Sequence, residues 1–414
     1  MSLIREKMRL QKVAKYLILL SITSVQPSQG SPADTIWTLY GKRDFFGLQH
    51  RIPAASNNET PRLQLVRAET YAAFGGYEES SAVLRRLLAR VDTPELAQAA
   101  QKRLMQNDRA LFRYTDAFAD IQEIPRAPSS DLANTAMLLS ALRNTPPEKF
   151  YGTPPLLSLT ADRFGRISGA VNGVSTHFIF DTAATVSAIS QTVAAKAGLH
   201  VIMRGYQILS STGAATHVAV AVGTISLNPS ARVVNTVFMV LPDNRLRFGG
   251  GISADVLIGF PVLSKLGMLR FEQDGRVVVG SSMSGKTDPV AVIGGQPVIQ
   301  AACGSRRLFC RLDTASNRTI FFAKGPAFSE LANKTAHTQG RTVRTIAGAE
   351  HLGVATLSPI HLRIGGRSVT LRSSMVVSRA ETGQNYIDCS LGRDALRQLE
   401  PYALDLGNMR FAAE

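Results

Sequence analysis

Apolar residues recur at helical spacing between residues 34 and 150, which predicts a helical region. The stretches Leu63–Phe74 and Glu78–Val91 have this spacing, and a third spans Asp131–Arg143. Between them, Thr93–Pro94 has the residue types of a helix start, with threonine as the N-cap and proline in the first helical position. We therefore expect a small helical domain over 34–150.

Beyond Pro155 the pattern changes to short apolar runs separated by glycine, asparagine, aspartate and proline. Arg166–Val171 and Ser175–Phe180 flank Asn172–Gly173, a pattern that predicts a hairpin with a two-residue turn. Apart from a helix-like stretch at Gln191–Leu199, the remaining chain has the pattern of strands. The overall prediction is a mainly β fold preceded by helices.

One strand pattern occurs twice: apolar residues run into aspartate, threonine and small residues at Phe178–Thr185 and at Leu308–Asn317. The two aspartates, Asp181 and Asp313, are 132 residues apart. A strand that delivers a carboxylate into a tight turn is unusual, and two copies predict two half-sites that meet.

A second landmark repeats at nearly the same offset. Gly259 follows the first aspartate by 78 residues, Gly392 follows the second by 79, and both glycines come after apolar residues. Because the order and spacing agree, we infer a tandem duplication with halves at 151–282 and 283–414.

Composition limits the function without defining it. The 414 residues are 45% hydrophobic and 19% charged, enough for two or three globular domains. The net charge of +15 is compatible with nucleic acid, an anionic surface or acidic substrates. The basic residues are scattered without an aromatic-interleaved patch, so no nucleic-acid binding is expected.

The cysteines and histidines argue against a metal. Cys303, Cys310 and Cys389 include no C-x-x-C pair, and the seven histidines are dispersed. We therefore expect no metal site and no cofactor. The cysteines allow one disulfide with one free thiol, or three buried reduced thiols.

The amino terminus has the pattern of a targeting segment. Basic residues precede a short apolar run, Tyr16–Val25, and small residues follow it. This order predicts a secretory signal over 1–33 and a periplasmic or secreted protein; the alternative is an amphipathic helix of a cytosolic protein. The run is too short to span a bilayer, and no transmembrane span is expected in the mature chain.

At the repeated motifs the chain resembles aspartic peptidases of the retropepsin and pepsin type, over roughly 150–414. The family hallmark is an apolar pair followed by aspartate, threonine or serine and small residues, with an apolar pair and glycine later. The copy length is most similar to bacterial retropepsin-like proteins. The resemblance implies two tandem closed β lobes in one chain, with both aspartates at the floor of a cleft, and a protein active as a monomer.

The resemblance also implies the roles of the site residues. Asp181 and Asp313 would be the catalytic pair that shares one proton. The dyad-supporting residues are Thr182, Ala183, Thr314, Ala315 and Ser316. The flap candidates are Gly213 and Gly348, in hairpins that would close over a substrate.

The two loops differ at one position. The Ser316 hydroxyl could donate a hydrogen bond to Asp313, whereas Ala184 offers none to Asp181. Such a bond favours an ionised carboxylate. We therefore expect Asp313 to act as the base and Asp181 to carry the proton.

The leading hypothesis is an aspartic endopeptidase acting on peptide or protein substrates. Departures from the family are alanines at 183 and 315, where glycine is commonest, and Phe260–Pro261 in place of the usual acid. The alternative is a catalytically weak, peptide-binding protein. Its helical domain, which resembles about one tetratricopeptide repeat, would then bind a protein partner. A third interpretation makes the region before the lobes a propeptide.

Overall fold

The structure is a computed structural model. It describes residues 32–54, 59–124, 130–152, 157–162, 165–209, 215–247, 253–280, 283, 285–323, 325, 338–345, 348–357, 359–377 and 386–414. The predicted signal segment therefore lies almost entirely outside the described residues. No described helix has both the length and the apolar character needed to cross a membrane.

Seven helices precede the strands in the described part of the chain. Two of them begin at a threonine followed by proline. One is the predicted start at Thr93–Pro94; at the other, Thr60 accepts a hydrogen bond from the backbone N–H of Leu63. Later helices are short. The helices are α1 Pro32–Gly41, α2 Phe45–Gln49, α3 Pro61–Ala73, α4 Tyr77–Leu88, α5 Pro94–Ala110, α6 Tyr114–Glu123, α7 Ser130–Leu142, α8 Gln191–Lys196, α9 Phe260–Leu266 and α10 Arg393–Leu396.

Twenty-four strands follow in the described residues, with a 3₁₀ turn at Asp243–Leu246. The strands are β1 Lys149–Tyr151, β2 Leu157–Thr160, β3 Arg166–Val171, β4 Val174–Asp181, β5 Ser187–Ser190, β6 His200–Leu209, β7 Ala215–Asn228, β8 Ala231–Leu241, β9 Val256–Gly259, β10 Met268–Phe271, β11 Arg276–Val279, β12 Asp288–Pro289, β13 Ala291–Ile293, β14 Gln296–Cys303, β15 Arg306–Leu312, β16 Ile320–Phe322, β17 Thr338–Thr345, β18 Gly348–Leu357, β19 Ile360–Ile364, β20 Arg367–Leu371, β21 Ser374–Val377, β22 Cys389–Leu391, β23 Tyr402–Asp405 and β24 Arg410–Ala413.

The first β unit is a closed barrel, which we call the barrel. Its strands pair in the order β8-β5-β9-β4-β3-β7, and a further pairing of β7 with β8 closes the ring. The β3–β4 hairpin turns at Asn172 and Gly173, which both have positive φ (46° and 83°). This is the conformation that an Asn-Gly two-residue turn favours, so the hairpin prediction is confirmed.

The second β unit is a curled sheet, with strand order β17-β18-β21-β16-β22-β15-β14-β19-β20. It repeats the pairings at the heart of the barrel. In each unit the strand before the aspartate runs parallel to the strand before the glycine, as β4 with β9 and β15 with β22. The short strand after each aspartate loop, β5 or β16, pairs antiparallel with that second strand.

A six-stranded sheet, which we call the shared sheet, joins the two units in the order β12-β24-β23-β10-β11-β2. At its centre β10 pairs antiparallel with β23, from Met268 opposite Asp405 to Phe271 opposite Tyr402. The rings of Phe271 and Tyr402 stack with centroids 4.7 Å apart. Strands that flank the barrel in the chain and strands that flank the curled sheet therefore meet in one sheet.

The helical region packs against both β units. Buried apolar residues of α1, α2 and α3 join a cluster with the curled sheet, which includes Phe46 stacked on Phe309. Residues of α5, α6 and α7 join another cluster with the barrel, including Leu139 with Leu257. The prediction of a mainly β fold preceded by helices is confirmed. The domain boundaries at 34–150, 151–282 and 283–414 stay predictions.

Candidate active site

Each motif aspartate lies at the end of a strand, one in the barrel and one in the curled sheet. Asp181 is the last residue of β4 and lies opposite Gly259 in the parallel pairing with β9. Asp313 follows β15, and its backbone N–H donates to the carbonyl of Leu391 on β22 at 3.0 Å. Both aspartates are partly exposed. The strand pairings thus hold two equivalent carboxyl positions on equivalent frameworks.

The two threonines that follow the aspartates connect the two loops directly. Thr182 Oγ1 donates to the carbonyl of Leu312 at 2.8 Å, and Thr314 Oγ1 donates to the carbonyl of Phe180 at 2.6 Å. Each hydroxyl also accepts the backbone N–H of the other threonine at 3.2 Å. Thr182 is fully buried and Thr314 is 8% exposed. The reciprocal bonds therefore hold the two aspartate loops against each other in a dry contact.

The repeated glycines lie where the backbone of an aspartate loop crosses the next strand. A Cβ on Gly259 would meet backbone atoms of Val186 and Ala184 at 2.8–2.9 Å, and one on Gly392 would meet Arg318 at 2.4–2.5 Å. Such distances leave room for glycine alone. After these glycines, the backbone N–H of Phe260 and that of Arg393 each donate to the aspartate loop at 2.8 Å. Phe260 thus keeps the loop contact although it departs from the family pattern.

Asp181 lies in an environment that favours its protonated form. Its Oδ1 accepts the backbone N–H groups of Ala183 at 3.0 Å and Ala184 at 3.1 Å. Partial burial, followed by the charge of Asp313, raises the pKa of Asp181 above its ordinary value. The two backbone amides and the Arg311 guanidinium act in the opposite direction. The two carboxyls are therefore close enough for one charge to affect the other.

Asp313 is surrounded differently. Its Oδ1 accepts the backbone N–H of Ser316 at 2.9 Å, and its Oδ2 accepts the hydroxyl of Ser390 at 3.0 Å. The Ser316 hydroxyl donates instead to the carbonyl of Arg318 at 2.9 Å. The prediction that this side chain bonds to Asp313 was wrong, because the loop turns its hydroxyl back onto its own backbone. Ser390, absent from the sequence-based set, provides the hydroxyl.

A buried arginine extends this arrangement. Arg311 is 3% exposed, and its Nε donates to Ser390 Oγ at 3.2 Å. Its Nη1 donates to Gln296 Oε1 at 3.1 Å, and Gln296 Nε2 donates to the carbonyl of Ala183 at 2.6 Å. The sequence signal for this network is a charged residue inside the apolar strand that leads to Asp313.

The remaining predicted residues have different outcomes. Ala183 offers its carbonyl to Gln296, and Ala315 packs against the cluster between the helices and the barrel. Of the flap candidates, Gly213 lies outside the described residues. Gly348 begins β18 and pairs with Thr345 of β17, at one end of a hairpin. The structure thus brings the aspartates, threonines and alanines together, while the role of the hairpins stays a prediction.

The cysteines follow one of the two alternatives left open by the sequence. Cys310 and Cys389 form a disulfide between β15 and β22, where they lie opposite each other in the parallel pairing. Cys303 is a free thiol, and burial raises its pKa. Within the described part of the chain, no three histidine, cysteine, aspartate or glutamate side chains are grouped so that they could hold a metal ion.

Comparison with known proteins supports the resemblance. The family model described as aspartyl protease matches residues 167–262, which include Asp181 and Gly259. The crystal structure of a retropepsin-like aspartic protease from Rickettsia conorii is similar at 17% identity, with a TM-score of 0.23. The match covers 32% of this chain and 91% of that one. No curated protein matches the chain. The family-model match supports the predicted resemblance to aspartic peptidases over residues 167–262.

Proposed function

We propose that this protein is an aspartic endopeptidase that hydrolyses peptide bonds in peptide or protein substrates. Asp181 and Asp313 would be its catalytic residues. The observation that carries the proposal is the reciprocal pair of threonine hydrogen bonds, which ties together two partly exposed carboxyls of unequal environment. The family match over residues 167–262 supports a protease in general terms.

Two carboxylates that share a proton can perform both steps of amide hydrolysis. The ionised one takes a proton from an attacking water, and the protonated one donates to the substrate carbonyl oxygen. As the tetrahedral intermediate collapses, a proton moves to the leaving nitrogen. The raised pKa of Asp181 supports its assignment as the proton carrier, which leaves Asp313 as the base.

We infer further that the enzyme arose by tandem duplication, works as a monomer and is exported. The matching strand pairings in the barrel and the curled sheet support descent by tandem duplication. A single chain that provides both aspartates would work as a monomer. The Cys310–Cys389 disulfide supports an oxidising compartment, since such bonds are rare in the cytosol. Together with the predicted signal segment, this favours a periplasmic or secreted enzyme.

A mixed peptide library incubated with the protein over a range of pH tests the proposal. We expect cleavage by the wild type, and a loss of at least about 100-fold in kcat/KM for either Asp181→Asn or Asp313→Asn, because the remaining carboxyl cannot be acid and base at once. Mass spectrometry of the products gives the rate and the bonds cleaved.

The matched control is Asp274→Asn, which neutralises an exposed carboxyl in the β10–β11 turn. It should cleave like the wild type. Cleavage that survives both active-site substitutions would rule out the aspartate pair. Peptide binding without cleavage by the wild type would favour the catalytically weak binding protein.

A further inference from the structure

We propose that Arg311, acting through Ser390 and Gln296, is a positioning residue that makes Asp313 the general base of the pair. The inference rests on the proposed function and deepens it. It starts from hydrogen bonds in which one buried side chain reaches both aspartate loops.

The direction of each hydrogen bond follows from the chemistry of arginine. A guanidinium has only donors, so Ser390 Oγ must accept from Arg311 Nε. The single hydroxyl proton of Ser390 is then left for Asp313 Oδ2 at 3.0 Å. A hydroxyl that donates to a carboxylate oxygen favours the ionised carboxylate. The hydrogen bond from Arg311 therefore directs the Ser390 hydroxyl proton toward Asp313.

The same rule fixes the glutamine. Gln296 Oε1 must accept from Arg311 Nη1, which turns the Nε2 amide toward the carbonyl of Ala183 in the Asp181 loop. The bond to Ala183 is short, at 2.6 Å. Ala183 is also the residue whose N–H donates to Asp181. Arg311 thus orients one group toward each aspartate loop.

Among the described residues of the barrel, the positions equivalent to Arg311 and Ser390 are apolar. Two residues before its aspartate, where the curled sheet has Arg311, the barrel has Ile179, and two residues before its glycine, where the curled sheet has Ser390, it has Leu257. Both are buried and pack in the cluster between helices and barrel. No hydroxyl reaches Asp181 among the hydrogen bonds described for it, only two backbone amides. The difference in environment between the two carboxyls therefore originates in the strands that lead to the loops.

Charged groups of the described residues act on the pair from several elements. Arg311 acts on Asp181 from the curled sheet, and the two aspartates face each other. Arg393, at the start of α10, interacts electrostatically with Asp313, and Asp162 also acts on that guanidinium. Since Arg311 is the buried cation bonded to the network, its loss should raise both pKa values of the pair.

The experiment compares pH profiles of kcat/KM for the full-length protein with Arg311→Met, Arg311→Lys and Ser390→Ala. With Arg311→Met we expect both limbs of the profile to move to higher pH, by about one unit or more. Arg311→Lys keeps the charge and should restore part of that shift. Ser390→Ala should move the acidic limb alone. The matched control, Ile179→Met, places the same residue at the equivalent barrel position and should leave both limbs unmoved.

Limbs that stay in place while kcat falls at every pH would overturn the proposal and reduce Arg311 to a structural role. If Arg311→Met does not fold, Ser390→Ala decides through its acidic limb. An active wild type whose variants show unmoved limbs of the pH profile contradicts this inference alone, whereas an inactive wild type contradicts the proposed function.

If the wild type is inactive, urea unfolding still tests the network: Ser390→Ala must destabilise the fold more at pH 7 than at pH 3. A loss that does not depend on pH overturns it.

Discussion

The threonine after each aspartate forms its side-chain hydrogen bonds with the opposite aspartate loop. Its hydroxyl donates to a carbonyl beside the other aspartate and accepts that loop's N–H, in a contact that excludes water. Leaving a buried backbone group unpaired costs about 1–3 kcal/mol. The bonds therefore fix the relative position of the two carboxyls.

Thr314→Val tests this contact, because valine keeps the shape and removes the hydroxyl. The substitution leaves the Phe180 carbonyl and the Thr182 N–H without that partner. We expect a loss of about 2–4 kcal/mol in the free energy of unfolding, measured by urea denaturation, together with slower peptide cleavage.

The comparison variant is Thr314→Ser, which keeps the hydroxyl and removes only a methyl group. It should stay within about 1.5 kcal/mol of the wild type. Equal stability of the valine and serine variants would mean that the hydroxyl does not hold the loops.

At this scale the sequence predicts residues that repeat and misses those that do not. The aspartates and threonines were found because their motif occurs twice, with glycines at a matching offset. Ser390 contacts Asp313 across two parallel strands that are 77 residues apart in the chain. Such a neighbour has no local signature. Ser316 was chosen as the donor since it is close in sequence, but its hydroxyl turns to Arg318.

Among the elements, those specified by local sequence were predicted best. The β3–β4 hairpin is specified by its Asn-Gly turn, and the start of α5 by threonine followed by proline. The pairing of β10 with β23 depends on the meeting of strands more than 130 residues apart. No local pattern in the sequence indicates that these two strands lie side by side in a shared sheet.

Helix α7 contacts the barrel through the side chain of Asn134, whose amide pairs with the backbone of an edge strand. Asn134 Nδ2 donates to the carbonyl of Gln207 at 2.7 Å, and its Oδ1 accepts the N–H of the same residue at 3.1 Å. Gln207 belongs to β6, which pairs with β7 in the barrel sheet. One amide thus satisfies both backbone groups of a residue at the edge of that sheet.

Asn134→Ala should therefore lower the free energy of unfolding by about 1–2 kcal/mol, measured by urea denaturation. The matched control is the neighbouring Thr135→Ala. The Thr135 hydroxyl donates only to the Asp131 carbonyl of its own helix. Its loss should change stability by less than about 0.5 kcal/mol. An equal effect of the two substitutions would show that the amide does not anchor the helix.

The whole molecule combines a strongly basic composition with buried carboxyls. Its net charge is +15, yet Glu148, between the helical region and β1, is only 5% exposed. Glu148 Oε1 accepts the N–H of Val237 on β8 at 3.3 Å. Burial raises the pKa of Glu148 to about 8, against the effect of this N–H and of Lys265. Burial also lowers the pKa of Lys265. The contact between the helices, the barrel and α9 therefore favours the neutral form of Glu148.

The sign of the pH dependence follows from that raised pKa. The folded state binds the Glu148 proton more tightly than the unfolded chain, in which the pKa is near 4.5. This contribution to stability is fully present below pH 4.5 and is lost as the pH rises through about 8. Glutamine imitates the protonated acid, so Glu148→Gln should gain stability relative to the wild type between pH 5 and pH 8. The slope should not exceed about 1.4 kcal/mol per pH unit.

Urea unfolding of both proteins at several pH values measures this slope, and taking the difference between the two proteins cancels the general effect of net charge. The exposed Glu123→Gln serves as the control, with no trend expected. A Glu148→Gln difference that is constant over the same range would mean that Glu148 stays ionised beside Lys265.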